Sequence, residues 1–231
     1  MRATPEFVTF TGADDATPPD RMVEIGRRWP VEWGLLFSRK RQGAGRYPSL
    51  DFLGSLRGRG LRLAAHVCGA YADEIVDTGA CSDFEGLAAS LGLEFERIQI
   101  NTGRSFDPGV FAAFAARFGA RAIAQCRDAF PEDDRVDWLH DVSAGEGLMP
   151  SFRPVPGQQV FGGYAGGLGP ENVAAELVAI ARTHPVGRRF WIDMETKVRS
   201  ADVFDLDSCE AVLAAVYPDG TSVVRSSGPT A

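Results

Sequence analysis

A chain of 231 residues with 45% apolar and 24% charged residues has the balance of a globular domain large enough to bury a core without staples. Its net charge of −7, with no Lys/Arg-rich run, argues against a general electrostatic affinity for nucleic acid. No apolar run is long enough to cross a bilayer, and the opening MRATPEFVTF lacks the apolar stretch of a signal peptide, so a cytoplasmic protein with no membrane partner is expected.

Short apolar runs alternate with helical patterns along the chain. The first run is Phe7–Thr11, followed by a helical stretch over Asp20–Trp29 with Pro19 at its entry. Val31–Ser38 is the second run, and Ser49–Arg57 the next helix. Leu61–Cys68 is the third, followed by helical pieces at Ala70–Val76 and Phe84–Leu91. Phe95–Asn101 is the fourth, and the helix at Val110–Phe118 has Gly119 placed to cap it. Arg121–Cys126 and Val136–Ser143 are the fifth and sixth, separated by a short acidic segment. A Gly/Pro/Ser-rich loop, Ala144–Gln158, leads to the seventh, Gln159–Ala165. Pro170–Thr183 reads as a helix with proline in its first turn. Arg188–Glu195 is the eighth run and Asp207–Val216 the last helix. The small polar tail from Pro218 to Ala231 is expected to be disordered.

Eight strand-like runs with helices between most of them predict parallel pairing through right-handed crossovers. The count and the length favour a single (β/α)₈ barrel of eight parallel strands over residues 1–217, with 218–231 as a tail. An open doubly wound sheet is the competing arrangement. Against it, Thr11-Gly12-Ala13-Asp14 after the first strand is not a dinucleotide turn.

In such a barrel all strands end on one face, and that face carries the site. The third run ends in His66 and Cys68, the fourth in Gln99 and Asn101, and the fifth contains Gln125. The sixth ends in Asp141 and Ser143, and the eighth in Asp193 and Glu195. Residues two apart on a strand share a side. Apolar residues are expected to fill the earlier strand positions, and Arg199 is a possible ion-pair partner for Asp141, Asp193 or Glu195. The stretch GGYAGGLGPENV brings Gly166 and Gly167 to a strand end just before a helix. Bare backbone N–H groups there suit a phosphate without a cationic side chain, and Thr196 and Lys197 after the eighth strand face the same place. Cys68, Cys81, Cys126 and Cys209 form no CxxC pair, so no zinc knuckle or disulfide framework is expected. Neither a resident metal nor an organic cofactor is expected. With Lys40 and Lys197 the only lysines, most Schiff-base chemistry is excluded as well.

These segments resemble phosphoribosylanthranilate isomerase. AGGLGPENV is similar to that family's GGL-x-P-x-N-V segment, WIDMETKV to its strand 8, IQINTG to its strand 4 with Gln99 retained, and LHDV to its strand 6. VEWGLLFSRKRQGAGRYPS is similar to its strand 2 and the following arginine-bearing loop, which implies a substrate-binding role for Arg46. The resemblance implies a barrel that rearranges an aminoaldose phosphate to an aminoketose phosphate, with Asp141 as general acid. The family's strand-1 cysteine, its base, is replaced by Thr11, its strand-4 histidine by Asn101, and its GGTG segment by Ala144-Gly145-Glu146-Gly147. The base is therefore open among Glu195, Asp193, His66 and Cys68.

The expected function is an isomerase or lyase of the intramolecular oxidoreductase kind, divergent from that family and acting on a sugar-phosphate or phosphoribosyl metabolite. Asp141, Glu195, His66 and Cys68 are its catalytic candidates, and Gln99, Asn101, Gln125, Asp193 and Arg46 its substrate contacts. The alternatives are a non-catalytic metabolite-binding or regulatory barrel, and a metal-dependent hydrolase or epimerase using His66, Asp141, Asp193 and Glu195. The expected partner is a small phosphorylated metabolite, and the protein is expected to be a monomer or homodimer.

Overall fold

A computed structural model describes residues 3–143 and 149–218. Its strands are β1 (Val8–Thr11), β2 (Val31–Ser38), β3 (Leu63–Cys68), β4 (Arg97–Asn101), β5 (Arg121–Cys126), β6 (Asp137–His140), β7 (Gly162–Tyr164) and β8 (Phe190–Met194). Each pairs in parallel with the next, and β8 pairs with β1, closing an eight-stranded barrel. The helices are α1 (Pro19–Arg28), α2 (Leu50–Ser55), α3 (Ala70–Thr78), α4 (Ser82–Leu91), α5 (Pro108–Ala116), α6 (Val173–Thr183) and α7 (Leu206–Val216). Among the described residues no helix joins β5 to β6 or β6 to β7, and loops cross there instead. After β8 come a 3₁₀ turn, Thr196–Val198, and a short hairpin of β9 (Arg199–Ser200) and β10 (Val203–Phe204). The expected disorder of the tail and the Ala144–Gly147 substitution lie outside the described residues, Pro218 apart.

Local chemistry sets the helix ends. Ser49 Oγ accepts a hydrogen bond from Phe52 N at the start of α2, and Asp107 does the same for Gly109 N at α5. Asp205 caps α7 by accepting from Asp207 N and Ser208 N. Gly119, with φ of +66°, lets Ala120 N bond back to Ala115 O after α5.

The strands divide by side. Val8, Phe10, Trp33, Leu35, Phe37, Ala65, Val67, Ile98 and Ile100 point outward into the main core beneath the helices. The alternate positions face the barrel interior, and they are not uniformly apolar as expected from sequence. Glu32, fully buried, accepts from Arg97 Nε at 2.9 Å and from Thr9 Oγ1 at 3.0 Å. Arg97 also reaches Asp137 at 3.5 Å and lies over the Trp191 ring, 4.2 Å from its centroid. Part of the interior is therefore filled by paired charges, which satisfy one another. Phe7, Ile123, Leu139, Ala165 and Trp191 form a small apolar cluster inside the barrel. A Cβ on Gly163 would overlap the Trp191 ring, so glycine is what admits that indole.

Pro170 does not open a helix. α6 starts at Val173, and Asn172 explains the delay: its Oδ1 accepts from Gly169 N at 2.9 Å and its Nδ2 donates to Gly167 O at 2.8 Å. That side chain ties the glycine turn to the helix entry and holds Pro170–Asn172 in a turn.

Candidate active site at the strand ends

A cavity of about 500 Å³ opens at the C-terminal ends of the strands. Every site residue expected from sequence lines it: His66, Cys68, Gln99, Asn101, Gln125, Asp141, Asp193 and Glu195 from the strand ends, Arg46 from the loop after β2, and Gly166, Gly167, Thr196 and Lys197 on the rim. Thr11 lies buried just below this lining and donates from Oγ1 to Asp193 Oδ1 at 3.0 Å.

Asp141 sits at the end of β6. Its Oδ1 accepts from Ser143 N at 2.9 Å and Ser143 Oγ at 2.7 Å, and its Oδ2 accepts from Gln125 Nε2 at 3.2 Å. Glu195 follows β8 and pairs with Arg46 at 2.6 Å. Burial raises the Glu195 carboxyl above its ordinary range, against the pull of Arg46. Arg199 does not pair with any of the three carboxylates proposed for it. It donates to Gly12 O, Asp14 and Asp202, which pins the β9–β10 hairpin to the end of β1.

On the opposite wall a chain of hydrogen bonds runs from Gln99 Nε2 to Asn101 Oδ1 at 2.7 Å and from Asn101 Nδ2 to Cys68 Sγ at 3.1 Å. Burial raises the Cys68 thiol, so it is not a thiolate nucleophile at neutral pH. Tyr47, which also lines the cavity, is pushed up to about 12, chiefly by burial.

Three buried polar atoms in this region have no hydrogen-bond partner among the described residues: His66 Nε2, Gln99 Oε1 and Asp193 Oδ2. Unpaired buried polar atoms are costly and rare. Burial lowers His66 to about 4, holding it neutral, and raises Asp193 well above the carboxylate range.

On the rim, Gly166 and Gly167 have φ of +87° and +64°, a conformation suited to glycine. Among the described residues their N–H groups pair with no acceptor. A Cβ on Gly169 would come to 2.6 Å from Lys197 Cβ, so the turn after β7 abuts the 3₁₀ turn after β8. Ser143, expected beside Asp141 at the end of the sixth strand, also lines the cavity, as do Tyr47, Arg41 and Arg127, which the strand-end pattern does not mark. The basic loop after β2 was a signal for Arg41, whereas Tyr47 and Arg127 carried none. Among the described residues no group of three or more His, Cys, Asp and Glu side chains is arranged to hold a metal ion, and no helix is long and apolar enough to cross a membrane.

A closed parallel (β/α)₈ barrel with its polar residues gathered at the strand ends defines the class, and its architecture is that of a phosphoribosylanthranilate isomerase-like barrel. Phosphoribosylanthranilate isomerase from Pyrococcus furiosus superposes with a TM-score of 0.59 at 13% identity, covering 92% of this chain and 98% of that one. TrpF from Jonesia denitrificans gives 0.61 at 19% identity, covering 91% and 96%. A phosphoribosylanthranilate isomerase in complex with reduced 1-(o-carboxyphenylamino)-1-deoxyribulose 5-phosphate gives 0.58 at 16% identity, covering 91% and 98%. At these identities the likeness is one of fold. No protein-family model and no curated protein matches the sequence.

Proposed function

We propose that the protein is an isomerase or lyase acting on a sugar-phosphate or phosphoribosyl metabolite. The observation that carries this reading is the union, in one cavity, of unpartnered buried polar atoms on the floor and a bare glycine turn on the rim. The N–H groups of Gly166 and Gly167, with Lys197 beside them, offer donors to a phosphate dianion. Asp141, held by Ser143 and Gln125, is the general acid that opens a sugar ring or protonates a leaving oxygen. Arg46, Asn101 and Gln125 orient the remainder of the substrate. The relative solved with a 5-phosphate ligand, though similar only in fold, supports the choice of substrate class.

The test is a turnover screen over aldose phosphates, aminoaldose phosphates and phosphoribosylanthranilate. Turnover of an aldose or aminoaldose phosphate is expected, with phosphoribosylanthranilate a poor substrate because Thr11 is no base. Calorimetry with inorganic phosphate and ribose 5-phosphate reads the cradle directly. Gly167→Ala should weaken both about tenfold or more, because a methyl at a positive φ shifts the turn. Absence of any phosphate affinity in the wild type would sink the reading.

A further inference from the structure

The floor of the cavity contains more chemistry than phosphate binding and ring opening use. His66 on β3 and Asp193 on β8 reach across the barrel toward each other, 3% and 5% exposed. His66 Nε2 and Asp193 Oδ2 are 4.0 Å apart, too far for a hydrogen bond, and neither has another partner among the described residues. The other oxygen of Asp193 is fixed by Thr11 Oγ1 at 3.0 Å. The space between the groups is kept by an absence on β2. A Cβ on Gly34 would overlap Thr11 Oγ1 and approach His66 Nε2 to 2.9 Å. Two atoms 4.0 Å apart are both within hydrogen-bond reach of one ligand group placed between them.

We infer that His66 and Asp193 are the proton-shuttling pair of the reaction, with Thr11 the positioning residue that aims the free oxygen of Asp193 into the cavity. This rests on the isomerase reading above and fixes the base that it leaves open. Burial favours a neutral imidazole facing a carboxylic acid, so the pair holds one proton. The other charged groups facing it are Glu32 on β2 and Arg97 on β4 from below, and Glu195 beyond the end of β8.

An isomerase needs a pair that begins and ends each cycle with the same proton count. For an open-chain α-hydroxy aldehyde or its imine, His66 Nε2 takes the proton from C2. The C–H electron pair becomes the C1–C2 double bond, and the former π pair on the C1 heteroatom takes the proton of Asp193. In the second half the C2 hydroxyl returns a proton to the Asp193 carboxylate and its O–H pair becomes the new C=O. The C1–C2 π pair takes the proton from the imidazolium at C1. The substrate has moved a proton between neighbouring carbons and the pair is restored.

The experiment is proton NMR of C2–H exchange in deuterium oxide, using ribose 5-phosphate and an N-alkyl aminoribose 5-phosphate with the full chain. The wild type should exchange the C2 proton. His66→Gln should lose about 10²–10⁴-fold in exchange rate, with ligand affinity measured by calorimetry kept within about tenfold. Thr11→Ser should retain exchange, whereas Thr11→Val should lower kcat with little change in KM. A substrate-free measurement separates the pair from the reaction. The His66 ring resonances should show a neutral imidazole down to about pH 4, with a midpoint that moves in Asp193→Asn. Variants that keep their circular dichroism yet exchange at the wild-type rate overturn the pair and leave the proposed function standing. A His66 that titrates near 6.5 and ignores Asp193→Asn also overturns the pair. Coupled titration without exchange in the wild type overturns the proposed function and, with it, the pair's role in catalysis.

Discussion

At the scale of single residues, the two halves of the site differ in how their carboxylates are held. Asp141 accepts three hydrogen bonds from Ser143 and Gln125, and Asp193 accepts one from Thr11. Asp141→Asn keeps the shape of the site but removes the proton donor. It should abolish turnover by about 10²–10⁴-fold while leaving ligand affinity within about tenfold. Equal loss of binding and folding would make Asp141 a structural carboxylate instead. The buried pair makes a second, signed prediction. His66 is lowered from 6.5 to about 4, so between those pH values the unfolded imidazole binds a proton that the folded one refuses, and its contribution to stability rises with pH. Asp193 is raised, so the folded state keeps a proton that the unfolded one has lost, and its contribution falls as pH rises above the ordinary carboxylate value. The two slopes oppose each other in the wild type. Once Asp193→Asn removes the opposing slope, the variant's own stability should fall by up to roughly 3 kcal/mol as pH drops from about 6.5 to 4. His66→Gln should instead lose stability as pH rises above the ordinary carboxylate value. Denaturant melts at several pH values read both, and parallel curves for the three proteins would show that the groups are not perturbed.

At the scale of elements, the strands were legible because their outward faces are apolar with a period of two. Val31–Ser38 and Arg121–Cys126 coincide with β2 and β5. The grouping of the candidate residues around one cavity was legible for the same reason, since polar residues two apart at a strand end share a side, as Gln99 and Asn101 do. The interior network was not, because no local pattern tells which of two alternating faces turns inward, and Glu32, Arg97 and Asp137 meet only after closure. Pro170 misled for a local reason: a proline suits a first helical turn, but Asn172 two residues later competes for the glycine-turn backbone. The fit of β7 against β8 gives a prediction at this level. Gly163→Ala places a methyl in the Trp191 ring, and overpacking of this kind should cost about 1–3 kcal/mol in a denaturant melt. An unchanged midpoint would show that the indole has room to move.

At the scale of the molecule, Arg97 ties together strands from around the barrel, reaching Thr9 on β1, Glu32 on β2 and Asp137 on β6. Removing one partner of a buried pair leaves a charge without compensation. Arg97→Met should therefore destabilise by about 3–5 kcal/mol, and pairing it with Glu32→Gln should recover much of that loss. Additive losses in the double variant would mean that the two do not act on each other. The closure of β1 against β8 also bears on the order of assembly. Thr11 and Asp193 face each other across that seam although 182 residues separate them in the chain. A growing chain holds β1 as an unpaired edge until β8 emerges, so the Thr11–Asp193 contact can form only after nearly every other strand has been made. Proton-transfer competence is then acquired at the last step of folding and lost at the first opening of the seam, which makes activity an earlier reporter of barrel opening than the loss of secondary structure.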